Sequence, residues 1–150
     1  MREDRQQVLH RPHPGNFIFY IHEQALRLRV GSPNAMQEQL LKLLFIAALP
    51  QVTLRVLPAA AEARAQFGGS FRLFEYREHN LLIYLDHPWS GLFLEEPDFV
   101  ANYRRLLPKI SSVALDEAES RSFIADLANA LDRGSRKQDA GIYELEEEQP

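Results

Sequence analysis

At 150 residues, with 45% hydrophobic residues and a formal net charge of −4, the chain is long enough for one ordinary domain with its own core. It has no cysteine, which excludes a disulfide framework, a thiolate nucleophile and a cysteine-based zinc site, and fits a reducing, cytoplasmic setting. No apolar run approaches ~18 residues and the start MREDRQQVL has no signal-peptide core, so neither a membrane span nor export is expected.

The charge is unevenly spread. Residues 1–57 carry seven bases against four acids, and residues 58–150 carry ten against seventeen. Such a balance disfavours a large phosphate-binding surface, so direct nucleic-acid binding by this chain is not expected.

Residues 1–15 read as a lead-in: Met1 to Leu9 suits a short helix with Val8 and Leu9 inward, ended by RPHPG. Phe17 to His22 (FIFYIH) is apolar on both alternating faces, as in a central strand covered on both sides. Glu23 to Arg29 leaves the sheet as a helical turn or extended segment, and Gly31 resets the backbone. Ser32 is a good N-cap and Pro33 suits the first helical position, so a long helix starts there. Met36, Leu40, Leu43, Leu44 and Ala47 line up as its core face. Leu41, Phe45, Ile46 and Leu49 make its second half apolar nearly all round, so a second cover is needed, either another helix or another subunit. Leu41, Phe45 and Ile46 are therefore candidate dimerisation residues and a homodimer is expected. After Pro50, Val52, Leu54 and Val56 alternate with Thr53 and Arg55 as a strand with one buried face.

Pro58 to Gly69 reads as a loop, with one helical turn at most, long enough to act as a flap. Phe71 to Tyr76 and Leu81 to Asp86 form an antiparallel hairpin across REHN, and Gly91 to Leu94 adds a short strand. Glu96 to Asp98 opens a helix with Phe99, Tyr103, Leu106 and Ile110 inward and a kink expected near Arg104 to Pro108. Asp116 caps a last helix, with Glu119 at the capping-box position and Phe123, Leu127 and Leu131 as its apolar stripe. Beyond Arg133 the composition lacks apolar residues, and 133–150 is expected to be a disordered tail. The fold class is α+β: a mixed or mainly antiparallel sheet of four to five strands against three main helices, in a single domain over 16–132.

Motifs for chemistry are scarce. His22-Glu23 opens a zinc-protease motif, but Leu26 stands where its second histidine belongs. The histidines at 10, 13, 22, 79 and 87 show no metal-ligand spacing, and no glycine-rich phosphate loop exists, so no metal and no cofactor are expected. What remains is a set of polar residues near strand ends: Glu23, Arg27, Glu75, Tyr84, Asp86 and Trp89, with His87 beside them. One reading is structural: Glu23 pairs with Arg27, Glu75 faces solvent and Trp89 plugs the core edge. The other is a ligand pocket at the sheet end, roofed by the Pro58 to Gly69 loop and taking a small cationic or hydrogen-bonding effector. It requires Glu23, Arg27, Tyr84 and Asp86 to meet on one side of the sheet. A small enzyme using Glu23, Asp86 or His87 as acid or base is a further alternative.

The runs EQALRLRVG (23–31), MQEQLLKLL (36–44), VTLRVLP (52–58), GGSFRLFEY (68–76), IYLD (83–86), LFLEEPDFVANYRRL (92–106) and ALDEAESRSFI (114–124) resemble a known pattern. In order and spacing they are similar to the uncharacterised domain behind the XRE-type helix-turn-helix of actinobacterial, Scr-type, toxin–antitoxin-like transcriptional regulators. The resemblance covers roughly Arg5 to Leu131. It implies a non-catalytic regulatory module for dimerisation, effector sensing or binding of a small partner protein. With no DNA-reading domain before Met1, the expectation is an excised part of such a regulator or a free-standing, antitoxin-like partner. The loop PAAAEARAQ and Pro108 depart from the family pattern.

Overall fold

The computed structural model describes residues 4–12, 14–61, 69–76, 80–87 and 89–147. It is an α+β protein, with five strands and four α-helices among the described residues. The chain divides into two compact units, Met1–Ala59 with Leu115–Pro150, and Ala60–Ala114. Among the described residues the strands form two sheets where the sequence suggested one: a parallel pair β1-β2 and an antiparallel β3-β4-β5.

The first unit is built on a strand, helix, strand crossover. β1 (Phe17–His22) runs into α1 (Glu23–Arg27), then α2 (Pro33–Ala47) returns the chain to β2 (Val52–Leu57), which pairs with β1 in parallel from Phe17↔Val52 to His22↔Leu57. α2 starts as its sequence dictates: the Ser32 hydroxyl accepts the Ala35 N–H at 3.1 Å, Pro33 occupies the first turn, and Gly31 adopts φ +77° ahead of it. Leu40 and Ala47 are buried, with Leu43 and Leu44 packed beside them.

The second cover of α2 is a helix of the same chain, α4 (Glu117–Glu147). Its start is a reciprocal capping box, in which Asp116 accepts the Glu119 N–H at 2.8 Å and Glu119 accepts the Asp116 N–H at 2.9 Å. The most deeply buried residues of α4 are Ser120, Ile124 and Ala128, while Phe123, Leu127 and Leu131 are partly buried around the same core. The expected stripe of Phe123, Leu127 and Leu131 therefore packs against the core, and Ser120, Ile124 and Ala128 beside it are buried more deeply. The helix backbone continues past Arg133 to Glu147, where composition had suggested a disordered tail.

Among the described residues β1 is not a central strand: its sheet there has two strands, and Ile18 remains 62% exposed. The lead-in forms a 3-10 helix, Asp4–His10, with Leu9 buried and its carbonyl accepting the Gln51 side-chain N–H at 2.6 Å.

In the second unit, β3 (Phe71–Phe74), β4 (Leu82–His87) and β5 (Ser90–Leu94) form an antiparallel meander, followed by α3 (Pro97–Val113). The register sets Phe71↔Leu85 and Leu73↔Ile83, and Leu85↔Leu92 and Ile83↔Leu94, so six apolar residues share one face. Ile83 on that face is fully buried, and the Phe71 ring meets Tyr103 of α3 at 4.8 Å. α3 is a single helix that contains Pro108. Its expected inward stripe holds at Ile110, which is buried, but Phe99 is exposed. Among the described residues no helix is long and apolar enough to cross a membrane.

Candidate functional site

The polar residues singled out in the sequence fall into two groups on different units. In the first unit β1 passes directly into α1, and the His22 side chain caps the turn by accepting the Gln24 N–H at 3.3 Å. Glu23 and Arg27 are one helical turn apart and meet at 2.6 Å. The second Glu23 oxygen accepts the Ala59 N–H at 2.9 Å, just beyond β2. The Arg27 guanidinium also lies over the Phe123 ring, 5.3 Å from its centre. The Ala59 hydrogen bond, helped by that of Arg27, holds the Glu23 carboxyl below the usual glutamate value. Both oxygens are engaged and the group stays ionised, so it acts as an acceptor that ties α1 to the end of β2.

In the second unit Tyr84 and Asp86 lie two apart on β4 and share a face with Arg72 of β3 and Phe93 of β5. Arg72 pairs with Asp86 at 3.3 Å and its guanidinium stands 5.4 Å from the centre of the Tyr84 ring. The Tyr84 hydroxyl reaches Asp86 at 3.4 Å, and the Tyr84 and Phe93 rings are 4.8 Å apart. Gly91 lies beneath this row, and a Cβ there would come within 2.5 Å of the Tyr84 ring, which would have to shift. Glu75 makes only a long pair with Arg104, at 3.9 Å, with both side chains largely exposed. Trp89 does not plug the core edge; it is 89% exposed.

Glu23 and Arg27 therefore belong to the parallel-sheet unit, and Glu75, Tyr84, Asp86 and Trp89 to the antiparallel one. The two halves of the expected constellation each form, but they do not share a sheet, because the crossover and the meander build separate sheets. Most of the loop expected to act as a flap, 62–68, lies outside the described residues, as do 77–79 of the REHN connection; Ala59–Ala61 forms one 3-10 turn. The His87 side chain also lies outside them. Among the described residues no three His, Asp or Glu side chains gather as a metal ion requires.

On α2, Leu41 and Phe45 stand on the outer face, with Phe45 72% exposed and Ile46 partly covered. Sequence reasoning missed Arg72, Phe93 and Ser120. The first two were findable from strand register, which sets Arg72 and Phe93 against Tyr84. Ser120 carried no signal, since a serine within a helix is more often a surface residue.

No curated protein and no solved structure matches the sequence. A family model does match, over residues 1–126, and on that match the chain belongs to the DUF5753 family, a domain of unknown function.

Proposed function

We propose that this chain is a non-catalytic regulatory module of an XRE-type transcriptional regulator of the actinobacterial, toxin–antitoxin-like kind. In this reading it acts in the cytoplasm by self-association and by sensing an effector or partner protein, and a separate helix-turn-helix reads DNA. The observation that carries it is the outer face of α2, where Leu41 and Phe45 sit one turn apart and remain exposed although the opposite face of the helix is packed on α4 and β2. Burying one phenylalanine contributes about 1.5 to 3 kcal/mol, so a second copy pairing through this face gains substantially from Phe45 alone. The seven ordered sequence blocks support a regulatory domain. The carboxylates agree with a non-catalytic role, since Glu23 is held by two partners and Asp86 by Arg72 and Tyr84.

Light scattering at high micromolar concentration tests the reading. The expected result is a mass of at least twice 17.3 kDa, lowered by Phe45→Glu with no change in circular dichroism. A wild-type monomer overturns self-association through α2. Sequence-specific, sub-micromolar binding to duplex DNA at physiological salt overturns the assignment of DNA reading to another domain.

A further inference from the structure

The antiparallel sheet ends on β5, which pairs with β4 on one side and with no other strand among the described residues. Every second residue of an antiparallel strand turns its N–H and C=O away from its partner, so the outer edge of β5 presents a row of backbone donors and acceptors. Edge strands are ordinarily guarded by lysine, proline or a bulge. The run Ser90-Gly91-Leu92-Phe93-Leu94 contains no charge and no proline. Its apolar side chains are exposed on both faces, Leu92 at 54% and Phe93 at 60%, beside the exposed Trp89.

We infer that β5 is a strand-addition edge and that its occupant is β5 of a second copy, antiparallel, with Leu92 at the two-fold axis. This surface is distinct from α2 and does not depend on it. The register follows from the side chains. With Leu92 opposite Leu92, each Phe93 faces Gly91 of the other copy, over which the Tyr84 ring already lies. An aromatic ring beside an edge glycine is a favourable cross-strand arrangement, and here it extends the Tyr84–Phe93 row across the join. In the same register Leu94 falls opposite Ser90, so the acidic pair Glu95-Glu96 that follows β5 in one copy does not face that of the other. A shift that centres the axis on Glu95 opposes like charges directly and is disfavoured.

The chain has no cysteine, so Leu92→Cys introduces one thiol per copy. Directly opposite residues of an antiparallel pair have Cα atoms about 4.5 to 5.5 Å apart, within disulfide reach. The expected result is oxidation of Leu92→Cys to a covalent pair about tenfold or more faster than Lys109→Cys, an exposed control on α3. Phe45→Glu in the same chain leaves that cross-link intact, which separates this interface from the one on α2. Leu92→Lys halves the assembly mass in light scattering while circular dichroism stays unchanged. Equal oxidation of Leu92→Cys and Lys109→Cys, as expected of a free edge or of one that takes a strand from another protein, overturns the inference. So does a folded Leu92→Lys variant whose mass equals that of the wild type.

Discussion

β2 and β5 are both edge strands of small sheets, and they are finished in opposite ways. Beyond β1, the free side of β2 is closed by the chain entering α4: the Val56 carbonyl accepts the Leu115 N–H at 2.9 Å, and the Val56 N–H donates to the Ser120 hydroxyl at 2.9 Å. Arg55 adds a hydrogen bond to the Leu115 carbonyl at 2.8 Å, and the Ser120 hydroxyl lies 3.4 Å from the same oxygen. β5 has no such cover among the described residues and no charge of its own. Side chains bonded to backbone close an edge permanently, whereas an uncharged open edge stays available to another chain. The polar groups of the two units differ in the same sense. Glu23 bonds to backbone across 36 residues of sequence, while among the described residues Arg72, Tyr84 and Asp86 bond to one another on an exposed sheet face.

The contrast can be broken by substitution, starting where the effect is largest. Ser120→Ala removes the acceptor of a buried N–H, and an unsatisfied buried group costs about 1 to 3 kcal/mol. Urea unfolding should show that loss in full, because Ser120 is wholly buried. If Ser120→Ala is no more costly than a change on the outer face of the β3-β4-β5 sheet, the side chain does not close the β2 edge.

Glu23→Gln is the next largest, at about 1 kcal/mol, since it keeps an acceptor for Ala59 but loses the charge that strengthens both hydrogen bonds. Its pH dependence has a definite sign. The folded-state pKa of Glu23 lies below the ordinary value of 4.5, so its stabilising contribution is complete above that value. It is lost as pH falls through the depressed folded-state value. Melting curves should therefore separate wild type from Glu23→Gln at neutral pH and bring them together in acid; a gap that widens in acid contradicts the ion pair. Asp86→Asn should be the smallest, within about 0.5 kcal/mol, because exposed ion pairs of this kind contribute little. A larger loss would mean that the Arg72, Tyr84 and Asp86 row is shielded from water in the working assembly, as pairing of β5 edges would bring about.

Local signals in the sequence specified the local elements. Ser32 with Pro33, the Asp116 and Glu119 capping box, the Val52, Leu54 and Val56 alternation and the Glu23 and Arg27 spacing each depend on residues a few positions apart, and each appears as expected. The α+β class and the antiparallel hairpin of β3 and β4 follow from the same short-range patterns. Which strands share a sheet was decided only by tertiary structure, because alternation marks a buried face without naming the strand beside it. Hence Phe17 to His22 has the composition of a central strand but lies in a two-stranded sheet, and Glu23 and Asp86 are placed in different units. The deeper burial of Ser120, Ile124 and Ala128 beside the stripe of larger residues was likewise decided by how α4 packs on α2 and β2. Packing is a property of two surfaces in contact, and no single stretch of sequence carries it.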